Sequence, residues 1–169
     1  MAVELDKRMV SILQDRFKLN INGQTESKLE IINEDILKIN LNQLIAEKKS
    51  KNEIKQVKIV ANLPYYISTP IIMKLLENRL DIDEIIVMVQ KEVAERLTAK
   101  TGTRLAGAIT YAVEYYSEAE CIIKVPKESF VPSPKVESEV IKLTVRKDKK
   151  IQVQDEKLLF NIISKSFMQ

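Results

Sequence analysis

Residues 58–70 read KIVANLPYYISTP. The first four, Lys58-Ile59-Val60-Ala61, form an apolar run of strand character, and Lys58 to Asn62 is expected to be a buried strand. The run stops at an amide, a proline and two tyrosines, which pack poorly but suit a flat, polar ring. Thr69 is then expected to cap a helix with Pro70 at its first position, where a missing N–H costs nothing. Ile71, Ile72, Leu75 and Leu76 would supply its core face. Strand, short loop and helix in this order form the repeating unit of an α/β fold.

Working outward, the same alternation recurs. Ala2 to Leu5 reads as the end of a strand. Asp6 is placed to cap a helix carrying Met9, Ile12, Leu13 and Phe17 at helical spacing. Leu29 to Asn33 reads as a short strand ending at Glu34-Asp35, followed by a helix from Ile36 to Ala46 and a lysine-rich connection from Glu47 to Lys58. Ile85 to Val89 is a continuous apolar strand and Gln90 to Lys100 a charged helix. Leu105, Ala108, Ile109, Ala112, Val113 and Tyr116 recur at three- and four-residue intervals and predict another helix. Cys121 to Val125 and the alternating end of Val136 to Val145 predict two more strands. Asp155 is placed to cap a last helix bearing Leu158, Leu159, Ile162, Ile163 and Phe167. Continuously apolar central strands suit a parallel sheet covered on both faces.

Composition narrows the chemistry. The chain has 169 residues, 45% of them hydrophobic, enough for one ordinary domain with a real core. It has no histidine and one cysteine, Cys121, read as a buried, inert thiol within an apolar run. Histidine-based triads and histidine-ligated metals are thereby excluded, and a lone cysteine does not suit a structural zinc site. The opening MAVELDKRMV is charged almost at once, no apolar run reaches the roughly 18–20 residues that span a bilayer, and the expected location is cytoplasmic. A net charge of +3 permits a nucleic-acid partner without demanding one.

All five prolines lie in two segments, Pro64 and Pro70 in one and Pro126, Pro132 and Pro134 in the other. Each segment also holds an aromatic, Tyr65 or Tyr66 and Phe130, so the two loops suit a pair of rigid jaws. An exocyclic amine on a base is a poor nucleophile because its lone pair is delocalised into the ring. Acceptors on both its hydrogens, the Asn62 side-chain oxygen and the Leu63 carbonyl fixed ahead of Pro64, would localise that lone pair. Tyr65 would stack on the ring, and the amine would attack a positioned methyl group with no histidine base. The competing reading is a strand and capped helix with half-buried packing tyrosines.

Three stretches carry a family resemblance. Asn62-Leu63-Pro64-Tyr65-Tyr66-Ile67-Ser68-Thr69-Pro70, Gln90-Lys91-Glu92-Val93-Ala94-Glu95-Arg96-Leu97, and Val125-Pro126-Lys127 through Phe130-Val131-Pro132-Ser133-Pro134-Lys135-Val136-Glu137-Ser138 resemble, in order, motifs of the ribosomal-RNA adenine dimethyltransferases. The resemblance runs from about Val3 to the end. Asn-Leu-Pro-Tyr is more similar to the small-subunit (KsgA-type) branch than to the large-subunit, antibiotic-resistance (Erm-type) branch.

The resemblance implies a Rossmann-like methyltransferase that moves methyl groups from S-adenosylmethionine to two adjacent adenosines of small-subunit rRNA in the immature 30S-type subunit. It also implies site residues. Glu4, with Leu5 beside it, matches the residue that binds the cofactor's ribose hydroxyls; by itself Glu4 reads equally as a solvated strand-end charge. Asp35 matches the acceptor for the cofactor's adenine amine, with Ile36 alongside the ring; by itself Asp35 reads as a helix cap. Asn62, Leu63, Pro64 and Tyr65 match the catalytic motif, with Asn62 also at the cofactor. Phe130 matches the aromatic that stacks on the flipped base; its bland alternative is a core plug. Lys91, Arg96, Lys100 and Arg104 are candidates for rRNA phosphates, against the default of a solvated helix face. No metal is implied.

The chain departs from the family pattern in two respects. The family's glycine-rich cofactor loop and first strand, and the basic stretch and small helical domain beyond, find no counterpart here. The expectation is an incomplete catalytic domain with weak cofactor affinity and sheet edges prone to self-association, inactive as a fragment. A large-subunit enzyme and a non-catalytic RNA-binding assembly factor are the alternatives.

Overall fold

The computed structural model describes residues 1–17, 29–148 and 151–168. Gly23 and Gln169 lie outside them. The chain divides into two compact units, Met1–Leu44 and Ile45–Gln169.

The first unit holds β1 (Ala2–Glu4), α1 (Lys7–Arg16) and β2 (Ile31–Asn33). β1 and β2 pair in parallel, with Glu4 opposite Asn33. Asp6 caps α1 as expected, its side chain accepting from the Arg8 amide at 2.9 Å. Val10 is buried, whereas Met9, Ile12 and Phe17 of the expected apolar stripe are exposed. The helix expected from Ile36 to Ala46 starts late, at Leu41. The Asp35 side chain accepts from the Leu37 amide at 2.9 Å, which closes a single turn. The helix that follows, α2 (Leu41–Lys51), starts where the Asn40 side chain accepts from the Gln43 amide at 3.2 Å. It therefore runs well into the stretch expected to be a connection.

The second unit is built on a four-stranded sheet of β3 (Lys58–Asn62), β4 (Glu84–Gln90), β6 (Ser138–Val145) and β5 (Ser117–Val125), in that spatial order. β3 and β4 are parallel, but β6 runs antiparallel to both β4 and β5. The wholly parallel sheet expected from the apolar runs is thus corrected to a mixed one. Between β5 and β6 lies only a single 3₁₀ turn, Lys127–Ser129. A parallel return needs a longer crossover, usually a helix.

The core follows the two-residue period of the strands. Ile85, Val87 and Val89 on β4, and Ile141 and Leu143 on β6, are fully buried. α3 (Ser68–Glu77) buries Ile71, Ile72, Leu75 and Leu76, as its spacing requires. α4 (Lys91–Thr98) buries Ala94 and Leu97, and α5 (Ala108–Tyr116) buries Ala112, Val113, Tyr115 and Tyr116. Leu105 stays outside α5 and is exposed. α6 (Glu156–Ser166) is capped by Asp155, which accepts from the Leu158 amide at 2.9 Å.

Three local expectations fail here for physical reasons. Among the described residues β3 is an edge strand with one neighbour in its own sheet, and Val60 is 74% exposed, so the strand is not buried. α3 begins at Ser68 because the turn from Pro64 to Ile67 runs straight into it, with Ile67 at the cap position and no side-chain cap. Thr69 therefore lies inside the helix, and Pro70 sits in its first turn, where an N–H is still dispensable. Cys121 is exposed, because β5 is the other edge strand. Among the described residues no helix is long and apolar enough to cross a membrane, and no cluster of acidic or cysteine side chains could hold a metal ion.

Candidate active site

Asn62 is the last residue of β3 and its side chain is exposed. The chain beyond it is pinned at four points. The Leu63 amide donates to the Met88 carbonyl at 3.3 Å, and the Leu63 side chain is buried. The Pro64 carbonyl accepts from the Ile67 amide at 3.1 Å. The Tyr65 carbonyl accepts from the Ser68 hydroxyl at 3.3 Å. The Tyr65 phenol shares a hydrogen bond of 2.9 Å with the Ser138 hydroxyl. Among the described residues, none engages the Asn62 side chain or the Leu63 carbonyl. Two acceptors are thus left open on an otherwise fixed loop. Tyr66 is 83% exposed and takes no part in the pinning.

The strand register brings the two proline loops to the same end of the sheet. Asn62 pairs with Met88, Met88 with Val140, Gln90 with Ser138, and Val125 with Ser138. β3, β4 and β5 therefore end, and β6 begins, along one rim. Phe130 lies in the loop from β5 to β6 and is half-buried, its amide donating to the Lys127 carbonyl at 3.3 Å. The loop includes the cis bond Val131–Pro132 and is braced by the Ser133 hydroxyl, which donates to the Lys127 carbonyl at 2.9 Å.

The residues expected at the cofactor divide between the units. Glu4, Leu5, Asp35 and Ile36 belong to the first, Asn62 to the second. Glu4 and Asp35 follow one another along the rim where the parallel strands β1 and β2 end. Glu4 uses one carboxylate oxygen to accept from the Asp6 amide at 2.8 Å. Asp35 uses one oxygen on Leu37, and both carboxylates keep their second oxygen without a partner among the described residues. The Asn33 side chain donates to the Glu4 and Leu5 carbonyls at 2.9 and 3.1 Å and fixes that corner. Leu5 is exposed and Ile36 half-buried. Two hydrogen-bond acceptors beside apolar side chains, at the carboxyl ends of parallel strands, fit a ligand that presents hydroxyls, an amine and a flat ring.

The four basic candidates separate. Lys91 pairs with Glu137 at 2.8 Å, and its amide donates to the Glu137 carbonyl at 3.0 Å. Arg96 pairs with Glu92 one turn away at 2.7 Å. Lys100 and Arg104 are exposed and, among the described residues, have no ion-pair partner. Lys100 also lines a shallow cleft of about 560 Å³ with Thr110 and Arg146, which lacks Asn62, Tyr65 and Phe130. Ser138 and Asn33 escaped notice as individual site residues. Ser138 stands within the third quoted motif; Asn33 gave no signal beyond ending a strand.

A protein from Geobacillus thermodenitrificans called ribosomal RNA small subunit methyltransferase A is 46% identical over 168 residues, covering 99% of this chain and 55% of the relative. Its namesake from Alkaliphilus metalliredigens is 43% identical over 166 residues, 98% of this chain and 55% of the relative. The chain thus spans about half the length of the curated relatives it matches. A crystal structure of a dimethyladenosine transferase from Plasmodium falciparum superposes with a TM-score of 0.76 at 28% identity, over 99% of this chain and 54% of that one. The 23S rRNA methyltransferase ErmE shares the fold, with a TM-score of 0.66 at 20% identity over 99% of this chain and 59% of that one. The architecture is accordingly the α/β, Rossmann-like fold of the S-adenosylmethionine-dependent methyltransferases. The profile of one family, the ribosomal RNA adenine dimethylases, matches residues 1–169 throughout, and the chain belongs to that family.

Proposed function

We propose that this chain carries the catalytic chemistry of an rRNA adenine dimethyltransferase, which methylates the exocyclic amines of two adjacent adenosines of small-subunit rRNA during ribosome assembly in the cytoplasm. The observation that carries the reading is the pair of unengaged acceptors, the Asn62 side chain and the Leu63 carbonyl, on a loop whose other groups are tied down. Those two acceptors take the two hydrogens of the target amine and turn its lone pair out of the ring. Tyr65 and Phe130 give the base flat surfaces to stack on. S-Adenosylmethionine, when bound, supplies an electrophilic methyl group. Glu4 and Asp35, of the first unit, suit its hydroxyls and adenine amine, with Leu5 and Ile36 beside its ring; Asn62, of the second unit, takes the target amine. The small-subunit names of the curated relatives favour small-subunit over large-subunit rRNA.

The test uses the protein at its full natural length, labelled S-adenosylmethionine, and small- and large-subunit rRNA particles. Label is expected in small-subunit adenosines. Asn62→Ala is expected to lower turnover by about 100-fold or more, the scale of losing a transition-state hydrogen bond, with cofactor binding retained. Transfer to large-subunit rRNA alone would move the protein to the other branch. RNA binding without any transfer would make it an assembly factor.

A further inference from the structure

Tyr65 is exposed over about a third of its surface, yet its hydroxyl does not point to water. It meets the hydroxyl of Ser138, a residue only 1% exposed. Ser138 opens β6 and is laddered on both sides, to Gln90 of β4 and Val125 of β5. Two strand pairings therefore fix its place, and no loop motion carries it away. The preceding residue, Glu137, is held by Lys91 through both its carbonyl and its carboxylate. At its other end Tyr65 is held by Ser68. A surface tyrosine packed only for its apolar ring needs neither tie.

We propose that Ser138 is a positioning residue for the methyl transfer: by holding the Tyr65 phenol it sets the plane of the ring, and hence the height of a stacked base above the acceptors on Asn62 and Leu63. The inference rests on the reading of Asn62 to Tyr65 as the amine-binding loop. Ser138 touches neither base nor cofactor and acts through Tyr65. One neutral hydrogen bond adds little stability, but displacement of a reacting group by an ångström costs up to about 100-fold in rate.

The experiment compares wild type, Ser138→Ala, Tyr65→Phe and the double variant, at full natural length, with small-subunit rRNA particles as the probe substrate. Each single variant is expected to lose about tenfold in kcat, with KM for the particle and Kd for the cofactor unchanged. The double variant is expected to lose no more than either single one. In ring-labelled protein the Tyr65 NMR signal shifts in Ser138→Ala while the thermal midpoint holds. Wild-type turnover in Ser138→Ala overturns the proposal. So do multiplicative losses in the double variant, since the two hydroxyls would then act separately. If Ser138→Ala does not fold, Tyr65→Phe removes the same bond from the exposed side, and its wild-type turnover overturns the proposal by itself. A wild-type protein that transfers no methyl overturns the functional reading and the positioning with it, an outcome distinct from a silent variant beside an active wild type.

Discussion

The Lys91 ammonium lies 2.8 Å from the Glu137 carboxylate. The hydrogen bond between them holds Lys91 above its ordinary pKa and Glu137 below its own. A lysine so occupied must break that pair before it neutralises a phosphate, and Arg96 is similarly spent on Glu92. Lys100 and Arg104 carry no such obligation among the described residues. The four basic residues are indistinguishable in the sequence, where each is a charge on or near one helix, and only their partners separate them. In RNA binding measured over a range of salt, Lys100→Ala and Arg104→Ala should each flatten the dependence of log affinity on log salt by roughly 0.7 to 1. Lys91→Ala and Arg96→Ala should leave that slope unchanged. The acceptors on Asn62 and Leu63 could be named from the sequence because an amide followed by Leu-Pro ends an apolar run. The Ser138 tie could not, because it joins positions 65 and 138 only through the strand register.

At the level of elements, aspartates preceding helical periods were dependable. Asp6 and Asp155 both cap, each accepting a backbone amide at 2.9 Å. Asp155 stands next to Glu156, whose carboxylate pairs with Arg79 at 2.5 Å and accepts from the Tyr115 hydroxyl at 3.0 Å. Loss of the cap thus loosens a helix start that is also an anchor. Asp155→Ala should cost about 1 kcal/mol, read as a lower urea midpoint with an unchanged m-value. Asp35 shows the limit of the rule. It has the right residue type and makes the right bond, but the chain makes one turn there and restarts at Asn40. Strand direction was also hidden, since an apolar run reads the same either way. The clue was the connection from Val125 to Ser138, which carries prolines and no helical period and so suits an antiparallel return.

Across the second unit, acid and base side chains join segments remote in sequence. Asp81 pairs with Lys49 of α2 and with Lys147 beyond β6. Asp83 pairs with the same Lys147 at 3.2 Å and accepts from the Val57 amide at 2.8 Å. The bond from Lys49 lowers the Asp81 pKa, and the bond from the Val57 amide lowers that of Asp83. A carboxylate with a lowered folded pKa stabilises fully above its ordinary value, 3.8 for both, and loses that contribution as pH falls through the folded value. Urea midpoints should therefore drop as pH is taken below about 4. Asp83→Asn should lower the midpoint at neutral pH and flatten its acid dependence. These groups lie near solvent, so the individual effects are small.

One consequence follows from Cys121. It is the chain's single cysteine, it is exposed, and it lies on the strand that leads into the Phe130 loop. Partial desolvation, helped by the Glu139 carboxylate, pushes its thiol up, so the reactive thiolate is scarcer at neutral pH than on a free cysteine. Alkylating reagents will react slowly there, but within this chain at one address only. A fluorophore attached at that address reports from the middle of the strand that feeds the Phe130 loop, with every native side chain but one left as it was.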